Sequence, residues 1–480
     1  MIGRNATAST RRIASVDLLD WPLMGRFLRW RHARAALQVP LLLLAALMVW
    51  DGLTGPQLAP KNLATTLTWL HYRGFVVLAL LTFGNLFCMA CPFMWPRLPL
   101  ERLVRARWVW PARLRSKWLG ILLLAAFLFA YELFDLWASP WWTAWVIVGY
   151  FAAALVVNLF FQGAPFCKYI CPIGQFNFVG SLVSPFEVAV RDYGTCTACV
   201  SKACFRGQES QRGCELWLFQ EKKFGNMDCT FCLDCIHACP HDNVGLRLRL
   251  PGSELWENRL RSGVGRLWRR PDVAALVVLF AFGALLNAFG MVSPVYALEA
   301  WLARLLGVTT EWPVLGLIFF AALVVEPALL MGGAGWLSRA WSGRTEPLLP
   351  LLVRYAYALV PFGMGVWAAH YLFHFLSGFW GAVPVVQNLV WDMMGVPLLG
   401  RPNWGLGPLV PLAWLDMLEV GFIGLGTWGS WLVAYRLASQ DAPTRPWRAF
   451  LPWAALVGLL ALTALWLMSQ PMEMRGTFLG

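Results

Sequence analysis

The chain has 480 residues, 59% hydrophobic and 14% charged, with 29 Trp. Soluble globular proteins carry about 25% charged residues, so this composition excludes an ordinary water-soluble domain. A net charge of +13 in so apolar a chain marks cytoplasmic loops of a membrane protein rather than a nucleic-acid partner.

Residues 1–35 hold seven Arg and no apolar core. They read as a basic cytoplasmic tail ahead of the first span, not as a cleavable signal peptide. The patch Trp21–Trp30 is either a surface-lying amphipathic stretch or part of a disordered tail. Nine membrane spans are predicted, at about 36–52, 73–91, 117–137, 141–162, 272–293, 312–332, 351–376, 409–435 and 449–469. They divide the chain into a four-span membrane domain (36–162), a long polar insert (163–271) and a five-span membrane domain (272–480). The insert holds ten of the twelve Cys.

Basic residues alternate from loop to loop. Loop 92–117 carries Arg97, Arg102, Arg105, Arg107, Arg113, Arg115 and Lys117, and the insert is basic throughout. Arg339 and Arg344 mark loop 333–350; Arg436, Arg445 and Arg448 mark loop 436–448. The intervening segments have Lys61, Arg304, Arg401 and Arg475 alone. The positive-inside rule then puts the N-terminus and the insert in the cytoplasm of a bacterium and the C-terminus in the periplasm, across the inner membrane. A reducing compartment favours Cys as ligands over disulfides.

Within the insert, Cys229, Cys232, Cys235, Cys239 and Pro240 read C-x2-C-x2-C-x3-C-P, the iron–sulfur run of bacterial ferredoxins. Upstream lie Cys196, Cys199, Cys204 and Cys214. Eight thiols match two [4Fe–4S] clusters, and two-cluster ferredoxins exchange their fourth ligands between motifs. One cluster then takes Cys196, Cys199, Cys204 and Cys239, the other Cys214, Cys229, Cys232 and Cys235. The first motif departs from the usual spacing before Cys204, and no proline follows Cys214. Zinc is the rival metal, since C-x2-C pairs also bind it, but it needs four ligands and the segment offers more. The fold class expected is an all-α polytopic membrane protein of about nine transmembrane helices with a cytoplasmic two-cluster ferredoxin-like insert. His237 and His241, inside or beside the run, read as solvent-facing groups or as neighbours that tune a cluster.

Two further pairs stand at predicted membrane edges. Cys88 and Cys91 precede Pro92; Cys167 and Cys171 precede Pro172. They form a third metal or redox centre, or they are free thiols at tight turns that pack the insert against the membrane. The sequence leaves both readings open.

Spans ending in Cys–Pro pairs, followed by a two-cluster ferredoxin module, resemble the membrane polyferredoxins of the NapH/NosR type and the related CcoG/RdxA proteins. The resemblance covers about residues 70–245, and the Cys88–Pro92 pair is one residue shorter than the family pattern. It implies electron transfer in support of nitrate or nitrous-oxide reduction, or of oxidase assembly.

The second half has five spans and no Cys. Intramembrane ionisable residues are costly and frequently functional, which singles out His370, His374 and Glu326 as a candidate quinone or proton site. The two histidines, one helical turn apart, are alternatively haem ligands or residues hydrogen-bonded within the bundle. Asp416 and Glu419 share a helix face and read as helix–helix contacts. The leading function is electron transfer between cytoplasmic [4Fe–4S] clusters and a membrane quinone pool or a partner redox protein. The alternative is a redox-linked transporter or a metal-centre assembly factor. The lipid bilayer is the one partner the composition itself requires.

Overall fold

The computed structural model describes residues 16–96, 108–406 and 408–472. Both chain ends, Arg475 included, and Arg97, Arg102, Arg105 and Arg107 of the basic loop lie outside the described residues. The chain is mostly helical. Along it run α1 (Ala33–Thr54), α2 (63–82), α3 (Trp118–Leu133), α4 (Pro140–Phe160), α5 (Pro271–Phe289), α6 (Glu311–Ser342), α7 (Leu359–Ser377), α8 (Leu412–Asp441) and α9 (Pro446–Met468). Seven of these, all but α2 and α3, are long and apolar enough to cross a membrane. Their starts are written in the sequence. Pro140, Pro271 and Pro446 open α4, α5 and α9, where a missing N–H costs nothing.

Helix α2 departs from the expected span 73–91. It starts ten residues earlier, where the Asn62 side chain accepts the Ala64 N–H at 2.9 Å. Thr65, Thr66, His71 and Arg73 lower the apolar signal of this stretch, yet all four are buried against neighbouring helices. Over Thr66–Tyr72 the helix widens to a π-turn. It stops at Thr82, before Gly84 takes φ 136°. The expected span 351–376 is likewise two helices, Leu348–Ala356 and α7. Tyr357 sits at the break, and its hydroxyl donates to the Leu267 carbonyl at 2.8 Å.

Between α4 and α5 two short strands pair antiparallel: β1 (Phe186–Val190) and β2 (Val244–Leu248), with Val188 opposite Leu246. They close the base of the loop that carries the eight clustered cysteines. Residues 16–30 pack on this ladder. The Leu248 N–H donates to Val16 O at 2.9 Å, and Leu18 and Leu19 are buried. The helix Pro22–Arg29 follows, so this part of the basic segment is an ordered strap.

The cysteine-rich segment shares one continuous apolar core with α2, α5, α7 and α9. Polar ties fix its position. Lys117 Nζ meets Asp228 Oδ1 at 2.5 Å and donates to Lys168 O at 2.7 Å. Asn85 Nδ2 donates to Cys229 O at 2.9 Å. In the membrane half, α7 and α8 touch along small residues. A Cβ on Gly426 would lie 2.7 Å from the Pro361 carbonyl oxygen. The Phe362 N–H, in the first turn of α7, is satisfied by Ser430 Oγ of α8 at 2.8 Å.

Candidate metal centres

All twelve cysteines are free thiols. Cys196 lies on the short helix Tyr193–Ala198, capped by Asp192, whose Oδ2 accepts the Thr195 N–H at 2.7 Å. Cys204 lies on Ala203–Arg206 and Cys235 on Asp234–His237. Phe231 and Leu233, interleaved with Cys229, Cys232 and Cys235, take φ 53° and 63°. Left-handed backbone at bulky residues is uncommon. Such reversals gather backbone N–H groups into concavities that receive anionic groups, iron–sulfur sites among them.

The thiols act on one another in two groups. Burial, then Cys196, Cys239 and Cys199, push the Cys204 thiol up to about 11. Burial, then Cys229, push the Cys214 thiol up to about 12. Burial raises Cys235 well above the usual thiol value, reinforced by Cys214, Cys232 and Cys229. Cys196, Cys199, Cys204 and Cys239 therefore share one neighbourhood, and Cys214, Cys229, Cys232 and Cys235 another. The Cys214 N–H donates to Cys204 O at 2.9 Å and ties the two together.

The spacing bears on the metal. Thiolates on one zinc at about 2.3 Å stand roughly 3.8 Å apart. Among the described residues, the one set of three metal-ligating side chains gathered within 4.8 Å is Glu215, Cys232 and Asp234. Arg34 of α1 occupies that set's charge, at 3.0 Å from Glu215 and 3.7 Å from Asp234. No three of the eight clustered cysteine sulfurs are gathered that tightly. Backbone donors meet the sulfurs: the Leu218 N–H to Cys214 Sγ and the Asn243 N–H to Cys239 Sγ, both at 3.3 Å. Donors of this kind favour thiolate and tune a cluster's potential.

The membrane-edge pairs come into one patch. Cys171, Cys167 and Phe93 share an apolar cluster with Ala154 and Phe166. Cys167 Sγ lies 3.4 Å from Met94 Sδ, three residues past Cys91. Cys167 is within electrostatic reach of Cys171, Cys91 and Cys88. Asn177 Nδ2 donates to Cys88 Sγ at 3.3 Å, and Gly174 N–H to Cys171 Sγ at 3.2 Å. Cys88 also lies within electrostatic reach of Cys229, so this patch adjoins the second cysteine group.

His370 and His374 come together, ring centroids 4.8 Å apart. Both nitrogens of His370, and Nε2 of His374, are buried without a hydrogen-bond partner. Glu326 does not join them; it is exposed on α6, just past the π-turn Ala321–Val325. His237 Nε2 meets the Leu28 carbonyl at 2.8 Å, holding the strap, and His241 is exposed. Sequence reasoning missed Arg34, Glu215 and Asp234. Arg34 is the last of several Arg before an apolar run, and its partners lie far away in sequence.

These features define a polytopic helical membrane protein with a cysteine-rich segment packed on its helices. Over 88 residues, at 31% identity, the chain is similar to the protein named "Putative electron transport protein YccM" of Escherichia coli (strain K12). The match covers 18% of this chain and 22% of that protein. The match does not single out the NapH/NosR branch. No family model and no solved structure matches the chain.

Proposed function

We propose that the chain is an iron–sulfur electron-transfer protein of the bacterial inner membrane. Cys196, Cys199, Cys204 and Cys239 hold one [4Fe–4S] cluster and Cys214, Cys229, Cys232 and Cys235 the other. When bound, each cluster carries one electron. The observation that carries this reading is the grouping: eight cysteines fall into the two sets that an interleaved ferredoxin pattern requires. Cys88, Cys91, Cys167 and Cys171 are proposed as a third centre at the membrane edge. The chain's own residues set the environment. Asn85 and Lys117 fix the Cys229 turn against the membrane helices, and N–H donors to Cys214 and Cys239 stabilise thiolate charge.

All of α1–α9 are read as spans, with the N-terminus and the cysteine-rich segment cytoplasmic and the C-terminus periplasmic. Electrons are exchanged with a membrane quinone pool or a partner redox protein. Iron and sulfide analysis of anaerobically purified protein tests the reading, with about eight iron per chain expected for the two ferredoxin-type sets. Four iron or fewer, or zinc in their place, rejects it. Cys235→Ala is expected to remove one set of EPR signals and to broaden or shift the other.

A further inference from the structure

A cavity of about 340 Å³ lies among α1–α5 and α7, within the usual size of small-molecule pockets, about 300–1,000 Å³. Pro92 and Pro172, which follow Cys91 and Cys171, form part of its wall. The cavity therefore ends against the membrane-edge thiols. Its wall also includes the π-turn Thr66–Tyr72, a local widening that recurs at functional sites.

The wall is almost wholly apolar, yet three hydroxyls in it are buried without a hydrogen-bond partner: Thr68, Tyr72 and Tyr150. Buried polar atoms are almost always paired, so three orphans in one wall call for a ligand that accepts hydrogen bonds. Tyr72 and Tyr150 are within electrostatic reach of each other and of Cys91 and Cys171. One more wall residue, Arg73, is a buried cation. Its guanidinium stacks on Trp69, Tyr131 and Tyr371 at 4.7, 4.5 and 4.9 Å and donates to the Tyr131 hydroxyl at 3.2 Å. Elsewhere the wall reaches the outside of the helices. Leu44 and Phe75 are 36% and 53% exposed there, on a surface that faces lipid if α1 and α2 cross the membrane.

We infer that this cavity binds a lipid-soluble quinone, with Tyr72 and Tyr150 donating to its ring oxygens and its tail leaving past Leu44 and Phe75. The inference rests on the electron-transfer reading above. A lipid acyl chain would fill the apolar walls but leave all three hydroxyls orphaned. A flat ring with acceptor oxygens takes the donors of Tyr72 and Tyr150 and stacks on aromatic walls such as Phe93 and Phe176. The site differs from the histidine pair that the sequence suggested. His370 and His374 do not line the cavity; they lie behind it, within electrostatic reach of Arg73.

The test uses full-length protein in lipid nanodiscs and a short-tailed azidobenzoquinone as photoprobe. Competition with unlabelled decylbenzoquinone measures affinity, and oleate serves as the acyl-chain control. Saturable labelling is expected in peptides from α2 and α4. Tyr72→Phe and Tyr150→Phe keep the ring and lose the donor; each is expected to weaken binding by roughly tenfold. Ala45→Phe, which fills the cavity, is expected to abolish labelling. Labelling that does not saturate, that oleate displaces equally well, or that both Phe variants retain at wild-type affinity overturns the inference. Iron content and EPR are read on the same samples. Intact iron without labelling rejects the quinone site alone; labelling without iron rejects the iron–sulfur reading alone.

Discussion

Lys117 is only 1% exposed, and its ammonium meets Asp228 one residue before Cys229. Lys168 stands 3.7 Å from the other carboxylate oxygen. Removing one member of a buried pair costs about 3–5 kcal/mol, because the other charge is stranded, whereas replacing both with apolar groups is frequently neutral. Lys117→Met is therefore expected to lower the thermal unfolding temperature in detergent and to release iron from the set containing Cys229. Because Lys168 shares Asp228, the variant expected to recover most of both is the one that removes all three charges, Lys117→Met, Asp228→Leu, Lys168→Met. Melting curves and iron analysis decide it, and equal behaviour of the single and triple variants would refute the pairing. The sequence marked Lys117 only as one of several loop charges. Its partner lies 111 residues away, and no local pattern connects them. The cysteines stand out in the sequence because their spacing is a recognisable pattern, whereas the residues that pack around them are scattered along the chain.

At the scale of elements, apolar length made most helices readable, and polar residues hid the rest. Helix α2 was placed too late because Thr65, Thr66, His71 and Arg73 read as loop. They are tolerated through tertiary partners: His71, for one, bridges Thr66 O and Phe379 O at 3.1 and 2.8 Å. The cavity has no local signature for a similar reason, since its walls come from several helices and its three hydroxyls are isolated residues, two on α2 and one on α4. The α7–α8 contact offers a direct test. Gly426→Leu forces a side chain against the Pro361 carbonyl and the Phe362 backbone, and overpacking of this kind costs about 1–3 kcal/mol. A lowered unfolding temperature with unchanged iron content is expected. Wild-type stability would mean that the two helices are not so closely apposed.

For the whole molecule, reporter fusions test the orientation that the basic loops imply. A fusion in the loop after Ser342 is expected to report cytoplasm, and one after Met394 periplasm. The same compartment for both would remove a crossing from the proposed nine. The described residues do not include the termini, so these two internal positions carry the test.

The strap at the start of the chain bears on the order in which the protein is made. Asp17 Oδ1 accepts the Leu19 N–H at 2.9 Å and the Leu246 N–H at 3.1 Å, while Oδ2 accepts Arg191 Nε at 2.9 Å. Leu246 is 229 positions downstream of Asp17, and the ribosome emits about 5–20 residues each second. The strap therefore waits many seconds for its seat, until the whole of the loop 191–243 has been made ahead of Leu246. The loop and its thiols are complete before the strap can fasten their base. On the proposed reading, closing the strap then seals the segment that would hold the clusters. Asp17→Ala is expected to leave membrane insertion intact and to expose this loop to limited proteolysis. Iron loading is expected to proceed and retention to suffer, a difference that pulse labelling with radioactive iron would read directly.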